Sequence, residues 1–164
     1  MKILGKKSLS AVVMVFLCVL LVLCIIAIIA GGIFVLSNVS FFTKDLLSIT
    51  YILIYLSSIP ALAMIIAFVQ IFHTLKQENI FEKQNVKRLG ISYISSIIIG
   101  VIYAINVLLV YLGVGMIQER FFIIYPLANV AISIIFLIFG IGIVVLKEIY
   151  RKAIQYKDEN DLTI

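Results

Sequence analysis

Long charge-free runs at residues 8–43, 46–75, 89–118 and 121–146 alternate along the chain with short polar breaks. A helix rises about 1.5 Å per residue, so about 20 apolar residues cross the roughly 30 Å hydrocarbon core of a bilayer. Each run exceeds that length. The pattern predicts an all-α integral membrane four-helix bundle made of two transmembrane hairpins, with spans at about 11–36, 46–75, 89–117 and 121–146. No internal repeat or second domain is evident, so residues 1–164 read as one membrane domain.

Local features refine the four spans. The first follows Lys2, Lys6 and Lys7, as a signal peptide would, but its apolar stretch of 26 residues exceeds the 7–15 of a signal core and lacks a clean cleavage site. It is expected to remain as a span. In the second, Pro60 removes an amide donor and predicts a kink, with Ser57 and Ser58 placed to satisfy freed backbone groups. In the third, Ser92, Ser96, Gly100 and Ala104 recur every four residues and form a row that permits close approach of a neighbouring backbone. That row predicts a seam within the bundle, with homodimerisation through the same face as the other use. Pro126 lies in the first turns of the fourth span, where proline is tolerated.

Between the second and third spans lies the polar island HTLKQENIFEKQNVKRLG, residues 73–90. Eleven of the thirteen Lys and Arg residues fall in the N-terminal segment, the central loop at 76–88 or the tail at 147–164. Loops this short obey the positive-inside rule, which predicts that both termini and the central loop are cytoplasmic. The expected location is a bacterial cytoplasmic membrane.

Composition supports a lipid-facing chain: 64% of residues are hydrophobic and only 13% charged. The net charge of +5 flanks the apolar runs instead of forming a stripe, which argues against direct nucleic-acid binding. Cys18 and Cys24, six residues apart on one helix, point in different directions and suggest neither a disulfide nor a metal site.

Little catalytic chemistry is visible. His73, the one histidine, sits at the inner end of the second span, and no nucleophile, phosphate-binding or dinucleotide motif occurs. No charged side chain lies at mid-membrane depth, where proton relays and ion-coupled transporters place them. The reading is therefore non-enzymatic and free of cofactors and metals. Asn106 and Asn129 fall at similar depth in the third and fourth spans and are expected to hydrogen-bond to one another, with a polar ligand site as the sharper alternative. The tail is expected to continue the fourth helix, with Ile149, Ala153 and Tyr156 on an amphipathic face and basic side chains near headgroups.

The loop sequence Glu78-Asn-Ile-Phe81, Asn85 and Arg88-Leu-Gly-Ile91, with the ending Glu159-Asn-Asp-Leu-Thr-Ile164, resembles the bacterial membrane proteins of domain of unknown function 2975. The strongly basic tail departs from what that family leads one to expect. The resemblance implies four spans in this order and, through a frequent association with small helix-turn-helix regulators, a membrane protein that senses a signal or sequesters such a regulator. The residues and the resemblance together suggest a regulatory or scaffolding protein that meets a cytoplasmic partner through loop and tail. Phe81, Asn85, Leu162 and Ile164 are the candidate contacts. Their local alternative is structural, with Phe81 dipping into the interface and Asn85 capping the third helix. The competing function is a small transporter or permeability protein for apolar or cationic compounds.

Overall fold

The structure is a computed structural model that describes residues 9–37, 46–77, 79–112 and 121–161. Leu162, Ile164 and the polar turns between spans one and two and between spans three and four lie outside them. Among the described residues every element is helical: α1 (Leu9–Ser37), α2 (Leu46–Leu56), α3 (Ser58–Lys76), α4 (Lys83–Leu112) and α5 (Phe121–Asp161). Four stretches, Leu9–Ser37, Ile49–Lys76, Lys83–Leu112 and Ile124–Asp161, are long and apolar enough to cross a membrane.

The second span is two helices because of Pro60. Proline has no amide hydrogen, and its ring crowds the carbonyl one turn upstream. The helix breaks at Ser57, between α2 and α3. The Ser57 and Ser58 hydroxyls donate to the carbonyls of Ile54 and Tyr55, both at 2.6 Å, so they support the break much as expected.

Burial is distributed as lipid demands. Among the described residues, eleven polar side chains are buried against seven hydrophobic ones, while large aliphatic residues line the outside of every span. A water-soluble core reverses this ratio. Lipid tails are as apolar as Leu, so helices gain little by hiding Leu or Ile and associate through small residues and hydrogen bonds.

Helix α4 is the central member. It packs along α5 and α3 and touches α2, whereas α1 rests on α3 and α2. The α4–α5 seam is the small-residue row. Ser96 Oγ donates to the carbonyl of Phe136 (2.6 Å), and Ser133 Oγ to that of Gly100 (2.8 Å). A Cβ at Gly100 would lie 2.8 Å from Leu137 Cγ, and one at Gly140 2.9 Å from Ile97 Cδ1. The row is therefore filled from within the chain. Ser96 and Gly100 are buried against α5, Ser92 is buried as well, and only Ala104 stays exposed, so the expectation of a homodimer through that face is corrected.

α1 is the least enclosed span, with Ser10 its only buried residue. Its closest fit is at Gly31 and Gly32, where the Tyr55 ring lies against the helix and its hydroxyl donates to the carbonyl of Ile28 (3.2 Å).

Candidate functional site

At the end of the spans shared by α3, α4 and the last part of α5, three helices close around a polar junction. α3 ends at Lys76, and the carbonyl of Thr74 accepts the amides of Gln77 and Asn79 (both 3.1 Å), turning the chain back at once. α4 begins at Lys83, and Asn85 lies in its first turn with its amide on the carbonyl of Glu82 (3.0 Å). The expected capping role for Asn85 is thereby corrected: the helix starts two residues before it.

Asn85 is 0% exposed. Its Nδ2 donates to Thr74 Oγ1 (2.8 Å) on α3 and to the Tyr150 hydroxyl (3.2 Å) on α5. Its Oδ1 accepts from the Arg88 guanidinium at 2.7 Å. One side chain thus ties three helices and uses both ends of its amide. Arg88 also donates to Gln70 Oε1 (3.1 Å) and Gln84 Oε1 (3.2 Å) and pairs with Glu82 (3.6 Å). The guanidinium fork suits this arrangement, because its several donors lie in one plane. Beneath the junction lies the apolar cluster of Ile71, Leu89 and Ile143, flanked by Phe68, Leu75, Tyr93 and Tyr150.

The tail joins the same junction. α5 has 41 residues, which at about 1.5 Å each span roughly 60 Å, twice a hydrocarbon core, so one end projects. Its projecting part lies against the loop. Lys83 pairs with Asp158 at 2.8 Å, and Lys157 sits 5.3 Å from the centre of the Phe81 ring. Both are exposed pairs, each contributing about 1 kcal/mol or less. The buried contacts of Tyr150 and Ile154 therefore hold the tail more firmly than the charges do.

A family model described as a protein of unknown function (DUF2975) matches residues 41–164, which include α2 to α5. The chain belongs to that family. No curated protein and no solved structure matches it.

On this DUF2975 chain the motif residues divide by burial. Asn85, a candidate partner contact, is enclosed, and this corrects its assignment: three protein groups already occupy its amide. Phe81 is 40% exposed and remains available at the rim. Leu162 and Ile164 lie outside the described residues. In the tail the expected amphipathic stripe lies on the outer side. Ile149 and Tyr156 are exposed, while the side turned inward carries Tyr150 and Ile154.

The expected bond between Asn106 and Asn129 does not form. Asn106 Nδ2 donates to the carbonyl of Thr50 on α2 (3.2 Å), and Asn129 Nδ2 to that of Tyr125, one turn back on its own helix (2.8 Å). Backbone carbonyls lie closer to each amide than the opposing side chain does. His73 is exposed, both cysteines are free, and no group of three metal-ligating side chains occurs among the described residues.

Sequence reasoning missed the three-helix role of Thr74, Arg88 and Tyr150. A signal was present in α4. Asn85, Leu89, Ser92, Ser96, Ile99, Asn106 and Val110 are all buried, in steps of four, three, four and three up to Ile99, then seven and four. That is the spacing of a helix seam, and it begins with the Asn85 turn.

Proposed function

We propose that this DUF2975 protein is a non-enzymatic regulatory or scaffolding protein of the bacterial cytoplasmic membrane, and that its loop and tail together form one docking surface for a cytoplasmic protein. The observation that carries this reading is the junction itself. Asn85 joins loop and tail through Tyr150, and Lys83–Asp158 and Lys157–Phe81 extend the contact along the rim. Two segments far apart in sequence therefore present adjacent side chains on one rigid base. Phe81, Ile149 and Tyr156 are exposed apolar side chains set among charges, a composition suited to protein contact. The charge distribution supports a cytoplasmic position for this surface. The partner class that the family resemblance favours is a small helix-turn-helix regulator, held at the membrane by protein contacts rather than through DNA.

The test is recovery of a defined partner from membranes. The full chain is compared with Phe81→Ala and with a chain lacking residues 159–164. Loss of the same partner in both variants supports the reading. Equal recovery from all three removes it. Labelling of a cysteine introduced at Lys83 with a membrane-impermeant reagent tests the orientation, since a cytoplasmic loop reacts only after the membrane is opened.

A further inference from the structure

A second polar centre lies toward the opposite end of the spans, where α4 meets α2 and α5, and it is independent of the docking surface. Asn106 is 0% exposed, and its Nδ2 holds the carbonyl of Thr50, which is itself 1% exposed. Its Oδ1 is buried, and among the described residues no group donates to it. The Tyr125 hydroxyl on α5 is likewise buried and has no partner among the described residues.

Helix register brings the two groups to one depth. α4 and α5 run antiparallel and cross at Ser96 with Phe136 and at Gly100 with Ser133. Counting on from those contacts sets Asn106 opposite residues 126 and 127. Tyr125 is therefore only about 1.5–3 Å away along the axis. The same turn carries the Asn129 amide on the Tyr125 carbonyl, and buried Pro126 has no amide hydrogen to give the carbonyl of Phe122. An acceptor and a hydroxyl thus share one level in a neutral surrounding of Thr50, Asn106 and Asn129.

We propose that Asn106 and Tyr125 hold one buried water molecule between them. A buried amide oxygen left unmet carries its full desolvation penalty, which selects strongly for a small donor there. Water donates to Asn106 Oδ1 and, with its second hydrogen or a lone pair, meets the Tyr125 hydroxyl, completing the two or more bonds that buried waters make. A cation is a poorer occupant, because every buried side chain at this level among the described residues is uncharged. The site gives α4 and α5 a hydrogen-bonded contact at a level where neither asparagine reaches across.

Radiolytic hydroxyl labelling of the full chain in nanodiscs tests this, because radicals formed from a held water modify the side chain beside it. Tyr125 is expected to be labelled severalfold faster than its buried hydroxyl permits from bulk solvent, and to lose that excess in Asn106→Leu. Tyr125→Phe keeps the shape and serves if Asn106→Leu does not fold, with labelling at position 125 expected to fall severalfold. Absence of the excess in the parent chain, or its persistence in either variant, overturns the proposal. Strong coupling between the two residues without labelling also overturns it, since that would mark a direct hydrogen bond.

Discussion

Replacing Asn85 with Ala tests the junction most directly. Three bonds disappear: those to Thr74 Oγ1 and the Tyr150 hydroxyl, and the one that Oδ1 accepts from Arg88. At about 0.6 kcal/mol for an average side-chain bond between membrane helices, the sum is about 2 kcal/mol. At about 1 kcal/mol for each neutral bond and 1.5–3 for the charged one, it reaches about 4 or 5 kcal/mol. Relaxation favours the lower part of that range. Arg88 keeps Gln70, Gln84 and Glu82, and the Thr74 hydroxyl keeps the carbonyl of Ile71. The expected loss is about 2–3 kcal/mol, measured by reversible unfolding in mixed micelles. Tyr150→Phe removes one acceptor and is expected to cost about 0.6–1 kcal/mol, with a coupling to Asn85 of about 0.5 kcal/mol or more in a double-mutant cycle. A change at Asn85 below about 0.5 kcal/mol, the size of an ordinary surface substitution, would refute the hub reasoning. So would strict additivity with Tyr150→Phe.

Gly100→Leu is expected to destabilise the protein by about 1–3 kcal/mol, because even a Cβ there meets Leu137, whereas Ala104→Leu on the exposed side is expected to be near neutral in the same unfolding assay. Gly142→Ala meets nothing within 4 Å and is expected to raise stability by up to about 1 kcal/mol through helix propensity alone. Lys83→Gln and Asp158→Asn break an exposed pair, so each is expected to change stability by less than about 1 kcal/mol and to do so less at high salt.

The spans were legible because each depends on a whole segment: apolar length and the absence of charge read directly as membrane helices. The break near Pro60 was legible for the same local reason, since a missing amide hydrogen has a fixed effect one turn upstream. The Ser92–Ala104 row announced a close approach, but an i, i+4 row does not say whether the neighbour is a helix of the same chain or of another. The asparagine partners were hidden for a different reason. An amide bonds whichever acceptor stands nearest, and for Asn106 this is the carbonyl of Thr50, more than fifty residues away in the chain. Equal depth in two helices does not fix the rotation of either about its axis. The inward side of the tail was not legible, because Ile149, Ala153 and Tyr156 make as regular a stripe as Tyr150 and Ile154 do. Only the position of Asn85 beneath Tyr150 decides between the two faces.

The division of labour at the junction follows from what lipid leaves available. Apolar surface adds little between membrane helices, so their geometry is fixed by side chains that can hydrogen-bond, and those must sit inside. In this chain Asn85 takes that role, with Arg88 at the partly exposed edge of the network. A residue used in that way is inaccessible to a partner, and replacing it disturbs any surface built above it. Loss of a partner on substituting Asn85 would therefore not mark Asn85 as a contact. Phe81 and Tyr156 stand outside the network, so the contrast that separates recognition from architecture is binding lost with stability kept. Truncating Phe81 removes its ring contact with Lys157 and the covered part of the ring but none of the hydrogen bonds of the three-helix junction, which makes it the variant for that comparison.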